Sequence, residues 1–330
     1  MHELNVATTQ RTHTMLKTAM GQLINEALED PNVIEVMVNP DGAIWVERHG
    51  DGRIKTDATM APSEAERVVR VVGSHIGQEV TRDHPVVSAE LPGTGERFEG
   101  VMPPVTTAPC FAIRKPAAQI FTLDEYAASG TMTETQVTAL RDAVLSRRNI
   151  LIIGGTGSGK TTLANALLRE VAETGDRVVI LEDTRELQCA AHDKVCLRTQ
   201  GQSVTMADLV RSTLRLRPDR IIVGEVRGPE ALDMLKAWNT GHPGGVATVH
   251  ANSAIGGLAR LEQLVNEVSV QTPHALIAEA IDMVVFIRGR GRDRRVKTIA
   301  HVQHHDGMNY QLAPVSEPIC NVVSITGETS

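Results

Sequence analysis

From position 154 the chain reads Gly154-Gly155-Thr156-Gly157-Ser158-Gly159-Lys160-Thr161, followed by Thr162. In a G-x-x-x-x-G-K-T spacing the glycines let successive backbone N–H groups turn toward one anion. The lysine reaches the outer phosphates of a nucleoside triphosphate, and the threonine hydroxyl suits Mg2+. The apolar run Asn149-Ile-Leu-Ile-Ile153 precedes the loop and helix-forming Thr162–Arg169 follows it. A buried strand therefore leads in, and a helix adds its positive N-terminal end. The expected ligands are ATP and Mg2+, with Thr161 as one metal ligand.

Other polar residues stand where apolar runs end. Val178–Leu181 runs into Glu182 and Asp183, so a carboxylate leaves the sheet edge with the means to orient water or hold a metal. Asp183 equally suits a helix N-cap. Ile221–Gly224 runs into Glu225, the layout of a Walker B strand, which aims Glu225 at the metal or the attacking water; Pro229 starts the next helix separately. Val246–Val249 ends in His250, placed to sense the γ-phosphate or to serve as a satisfied structural histidine. For His242, just upstream, both readings stand.

The elements that must position these groups follow from periodicity. Met15–Leu28 carries apolar residues at helical spacing, and Val33–Val38 and Ala43–Glu47 flank Asn39-Pro-Asp-Gly42 as a hairpin. A helix around Ala65–Ile76 and strands near 85–88, 97–101 and 111–114 complete an N-terminal α+β domain over 1–115. Residues 116–132 read as a linker, and Thr133 with Gln136 forms a capping box that opens the second domain, 133–330. From Asn149 strands and helices interleave, which predicts an α/β fold with a parallel sheet covered on both faces and its chemistry at the strands' C-terminal ends.

Composition excludes several classes. At 330 residues, with 42% hydrophobic and 22% charged, the chain is an ordinary globular one of two-domain size. A net charge of -7, with two Trp, two Tyr and four Phe, argues against nucleic acid as the main ligand. The start at Met1 lacks a signal-peptide layout and no run of about 18 apolar residues occurs, so a cytoplasmic protein is expected. Cys110, Cys189, Cys196 and Cys320 fit reduced thiols, and Cys189-x-x-His192-x-x-x-Cys196 lacks a fourth metal ligand. His301, His304 and His305 read as the polar face of a solvent-facing hairpin. The basic run Arg288–Arg295 is a candidate contact for anionic lipid or DNA, but its Gly289, Gly291 and Asp293 favour a solvated turn.

The P-loop, Leu181-Glu-Asp-Thr-Arg-Glu-Leu187, Leu214–Glu225 and Thr240-Gly-His242 with Thr248–Asn252 together resemble the secretion/traffic ATPase family of type II and type IV secretion, pili and conjugation. The N-terminal segments Asn39–Glu47, Arg97–Pro104 and Ile113–Lys115 are similar to its TrbB-type conjugal-transfer branch. The resemblance implies a RecA-like P-loop ATPase domain behind a smaller N-terminal domain, six chains in a homo-hexameric ring, and hydrolysis coupled to secretion. It places Glu182 and Asp183 in an aspartate box, Glu225 in Walker B with the metal, and His242 and His250 in a histidine box. Arg97 and Arg114 become N-terminal-domain arginines that approach the nucleotide, with a hinge near 115–130. The general base stays open between Glu182 and Glu225. Inner-membrane components of a type IV secretion system become the expected partners, at the inner face of the cytoplasmic membrane. A DNA-dependent helicase or translocase on the same core is the competing function class, and a nucleotide-gated scaffold is a third.

Overall fold

The computed structural model describes residues 2–48, 51–116, 120–200 and 203–315. Cys320 and residues 117–119 of the expected linker lie outside the described residues. The chain falls into two units, Met1–Gln119 with Thr184–Glu186, and Ile120–Asp183 with Leu187–Ser330.

The first unit comprises α1 (His2–Glu29), β1 (Val33–Val38), β2 (Ala43–Arg48), β3 (Gly52–Thr59), α2 (Pro62–His75), β4 (Val86–Glu90), β5 (Arg97–Val101) and β6 (Cys110–Arg114). Its six strands form an antiparallel sheet in the order β3-β2-β1-β6-β5-β4. Leu16, Met20 and Ile24 of α1 and Val68, Val69 and Val72 of α2 share one core with Val36, Val38, Phe98 and Ile113 of the sheet. The expected first helix differs in two ways: it starts earlier, and it breaks at Gly21 (φ 75, ψ 173), a conformation open to glycine because it has no Cβ. Strand β3 is new. It is an edge strand exposed along most of its length, so it carries no apolar alternation to read.

The second unit comprises α3 (Leu123–Ala128), α4 (Glu134–Leu145), β7 (Ile150–Ile153), α5 (Lys160–Ala172), β8 (Val178–Glu182), β9 (Lys194–Arg198), α6 (Met206–Thr213), β10 (Arg220–Val223), α7 (Glu230–Asn239), β11 (Val246–Val249), α8 (Ala254–Asn266), α9 (His274–Ala280), β12 (Met283–Arg288), β13 (Arg295–His305) and β14 (Tyr310–Pro314). The sheet order is β14-β13-β12-β7-β11-β10-β8-β9. Strands β12 to β9 are parallel and β12-β13-β14 antiparallel. Along β7, Ile150 and Ile152 join a core with Leu140 and Leu163 of α4 and α5, while Leu151 and Ile153 join a second core with Leu258 and Ile277 of α8 and α9. Both faces are thus buried, which is why the strands read as unbroken apolar runs.

The linker expectation needs correcting. Residues 120–132 belong to the second unit, where Thr122 and Glu125 cap α3 reciprocally and Leu123, Tyr126 and Met132 are buried with Leu140 and Val144. A six-residue helix is too short to show a period in sequence. The capping box at Thr133 and Gln136 forms as expected, with bonds of 3.2 and 3.0 Å. Among the described residues no helix is long and apolar enough to cross a membrane.

Candidate functional site

Strand β7 lies between β11 and β12, with Ile153 in register with Val249 and Phe286. The loop leaving it therefore emerges at the same sheet edge where β11 delivers His250 and β10 delivers Glu225. A Cβ on Gly154 would stand 2.4 Å from Ser158 Oγ and 2.6 Å from the Ile287 carbonyl, so only glycine fits there. Gly159 (φ 95) turns the chain into α5, whose first turn carries Lys160, Thr161 and Thr162. The Ser158 hydroxyl is buried without a hydrogen-bond partner. A tight backbone cradle, an orphaned hydroxyl and a helix N-terminus suit phosphate oxygens, and Thr161 and Glu225 carry oxygens of the kind that could hold Mg2+.

A line of polar contacts crosses the sheet edge beside this cradle. Lys160 Nζ lies 3.0 Å from His250 Nε2 and donates to the Gly155 carbonyl at 3.3 Å. His250 Nε2 lies 2.9 Å from Glu225 Oε1, and Arg227 donates to Glu225 Oε2 at 2.6 Å. Arg227 also lies 3.8 Å from Asp183, which accepts a bond from Thr199 at 3.0 Å. One imidazole nitrogen cannot accept from Lys160 and donate to Glu225 at once, so the charge and, when neutral, the tautomer of His250 decide which partner it serves.

Electrostatics sets the charge. Burial pushes the Glu225 carboxyl up, but the Arg227 hydrogen bond and the charges of Arg227, His250 and Lys160 outweigh it and hold the group below its ordinary value. Burial and the Lys160 charge depress the His250 imidazole, with Glu225 opposing. At neutral pH the site holds a carboxylate beside a neutral imidazole.

The remaining predicted residues are distributed unevenly. Glu182, 4% exposed, accepts from the Leu187 N–H at 2.7 Å. His242 bonds to the Pro218 carbonyl at 3.0 Å, where the chain enters β10, at the opposite sheet edge from the P-loop. His242 thus lies apart from His250, in keeping with the structural reading left open for it. Arg97 and Arg114 sit in register on neighbouring strands of the first unit, with Arg114 also beside Glu35 and Arg97 3.6 Å from Glu186. Cys189 is buried and Cys196 lies exposed on the unforeseen edge strand β9. The β13–β14 hairpin forms, but His305 turns inward to stack on His274 at 4.2 Å.

Sequence reasoning passed over two contributors and the setting of a third. Thr248 donates to the Gly224 carbonyl at 2.7 Å and so holds the backbone that presents Glu225. Arg227, two residues after Glu225, could have been found from its place beyond a strand end. The third is the setting of the basic run: its turn is largely exposed, as expected, but Arg290 and Arg294 fold onto the P-loop. A cavity of about 360 Å³ opens there, lined by Gly155, Thr156, Ser158, Asn252, Phe286 and Arg290 among others.

Comparison with known proteins places nearly the whole chain in one family. The family model described as Type II/IV secretion system protein matches residues 18–327. The conjugal transfer protein TrbB of Rhizobium radiobacter is 49% identical over 298 residues, 90% of this chain and 92% of that relative. The type IV secretion system protein PtlH of Bordetella pertussis is 30% identical over 322 residues, 87% of this chain and 94% of that protein. Among solved structures, that of the pilus retraction motor PilT matches with a TM-score of 0.60 at 19% identity, covering 90% of this chain and 82% of that one. That likeness supports the RecA-like fold.

Proposed function

We propose, from the premise that this chain belongs to the type II/IV secretion system protein family, that it hydrolyses ATP to ADP and phosphate and thereby powers conjugative type IV secretion. The observation that carries the reading is the line from Lys160 through His250 to Glu225 at the mouth of the P-loop. The backbone N–H groups of residues 154–159 and the start of α5 bind the phosphates, and Lys160 offsets charge on the outer ones. Glu225, ionised at neutral pH, accepts a hydrogen bond from the attacking water and orients it in line with the departing phosphoryl group. Neutral His250 stands between Glu225 and Lys160, placed to register the γ-phosphate. Mg2+, when bound, would neutralise phosphate charge, and Thr161 and Glu225 are the residues that would hold it.

Glu225 takes precedence over Glu182 as general base because Glu182 is buried and engaged by the Leu187 N–H. Asp183, tied to Thr199 and near Arg227, supports the Glu225 side of the site. Arg97 and Arg114, side by side on one sheet, supply guanidinium charge to the nucleotide when the domains work together. The names of the relatives place them in conjugal transfer and type IV secretion. By extension the chain works as a homo-hexamer with inner-membrane secretion components, for pilus assembly or DNA transfer.

Phosphate release, measured with and without DNA on the full chain and on Lys160→Ala, tests the reading. DNA-independent turnover is expected, falling in the variant below about a tenth of the parent, a loss of more than ~1.4 kcal/mol of transition-state stabilisation. Strong stimulation by DNA favours a helicase or translocase, and ATP binding without turnover favours a scaffold.

A further inference from the structure

The turn joining β12 to β13 closes tightly, through one 3-10 turn at Gly291–Asp293, and two of its arginines, Arg290 and Arg294, point back at the P-loop. Arg290 Nη2 donates to the Thr156 carbonyl at 3.2 Å. A Cβ built on Gly157 would stand 3.3 Å from Arg290 Nε, and one on Gly159 would stand 2.8 Å from Arg294 Nε. The guanidinium of Arg294 therefore fills the space that a side chain on Gly159 would take, and that of Arg290 lies in tight contact over Gly157. Both glycines hold positive φ, 74 and 95 respectively. Arg294 Nε is buried with no hydrogen-bond partner, as is the Tyr126 hydroxyl of α3. The first strand residues beyond the turn are anchored, with Val296 N–H donating to the Thr131 carbonyl at 2.9 Å and Gln136 to the Val296 carbonyl at 3.4 Å. The arginines are thus presented from a fixed base.

The physical consequence concerns the two glycines. A phosphate cradle needs its N–H groups convergent before the anion arrives, yet glycine leaves a positive-φ well more freely than it enters any single one. A planar group seated over each removes that freedom in the nucleotide-free loop, so the ordering cost is not met at binding. The carbonyl of Thr156, turned outward to Arg290, also fixes the orientation of the peptide whose N–H belongs to Gly157.

We propose that Arg290 and Arg294 are positioning residues for nucleotide: they clasp the outer side of the P-loop and hold Gly157 and Gly159 in the phosphate-accepting backbone. Because the clasp acts on the loop, it serves nucleoside diphosphates and triphosphates alike and leaves the hydrolytic step untouched. The inference rests on the reading of the loop as a nucleotide site.

The test measures dissociation constants of fluorescent ATP and ADP analogues, with turnover at saturating ATP, for the full-length parent, Arg290→Ala, Arg294→Ala, Arg290→Lys and Arg294→Gln. Restoring the freedom of one backbone residue corresponds to about a five- to thirtyfold loss of affinity. Each alanine variant is expected to show it equally for ATP and ADP, with kcat within about twofold of the parent. Arg290→Lys, which keeps a donor for the Thr156 carbonyl, is expected to recover part of the loss. Arg294→Gln keeps the stem, and serves in place of Arg294→Ala should that variant unfold. Lys297→Ala removes a nearby exposed charge and should change nothing; an equal loss there would reduce the effect to net charge and overturn the proposal. Unchanged affinity in both arginine variants would also overturn it. So would a kcat loss with affinity intact, which would place the guanidinium in the reaction itself. A parent that binds neither analogue defeats the nucleotide-site reading and this inference together, whereas a parent that binds and variants that match it defeat this inference alone.

Discussion

Replacing Glu225 by glutamine keeps shape and one acceptor oxygen but removes the charge around which the site is arranged. The carboxylate accepts from Arg227 at 2.6 Å and faces His250 at 2.9 Å, and both contacts survive in weaker form with an amide. Arg227 is half exposed, so the stability lost with its ion pair is small, about 1 kcal/mol or less. The catalytic loss is larger. An oriented carboxylate acting on the attacking water contributes typically ~10²–10⁴ in rate, or about 2.7–5.4 kcal/mol at the transition state. Binding changes in the other direction when Mg2+ is withheld, because a carboxylate beside a triphosphate repels it. Glu225→Gln should therefore cut phosphate release at saturating ATP at least about a hundredfold, while ATP bound in EDTA is held as tightly as by the parent or more so. Parallel measurement of phosphate release and of fluorescent-nucleotide affinity, with and without Mg2+, reads both effects. Turnover above about a tenth of the parent would refute the role given to Glu225. A collapse of affinity in EDTA would show that the side chain holds the loop's structure instead.

Arg114→Ala, and to a smaller degree Arg97→Ala, should lower turnover at saturating ATP more than nucleotide affinity, and specific activity should rise with protein concentration as rings assemble; two variants at parental rates would remove the first unit from the catalytic site. The native His250 imidazole sits below its ordinary value of 6.5, so on acidification the unfolded chain takes up a proton first. Stability should thus be level above about pH 6.5 and fall as pH drops below it, joined at lower pH by Glu225; thermal midpoints between about pH 5 and 8 should lose their upper slope in His250→Asn. Arg220, almost fully buried, bonds to Asp176 at 2.6 Å and to the Val144 carbonyl at 2.9 Å, so Arg220→Ala should cost about 3–5 kcal/mol in urea unfolding, and a loss under ~1 kcal/mol would contradict that account.

What the sequence by itself determined lies within single segments. Glycine spacing before Lys160 specified the cradle, the run before Gly154 specified a strand buried on both faces, and Ile221–Gly224 pointed at Glu225. In each case the signal and the structure it describes occupy the same few residues. Segments with little apolar surface escaped notice, as with the edge strands β3 and β9, and so did α3, whose two buried side chains are too few to mark a period.

Strand order decided the rest. It is a property of the whole sheet, and no local pattern encodes it. Placing β11 directly beside β7 brings His250 to Lys160 across 90 residues of sequence, while the same strand's entry loop leaves His242 at the far edge. Glu182 and Glu225 look equivalent as acids after apolar runs, and only packing buries one against the Leu187 N–H and turns the other toward Arg227 and His250. The basic run looks like a solvated turn from its glycines and aspartate. Because β12 pairs with β7, that turn meets the P-loop, and Arg290 finds the carbonyl of Thr156 across 134 residues.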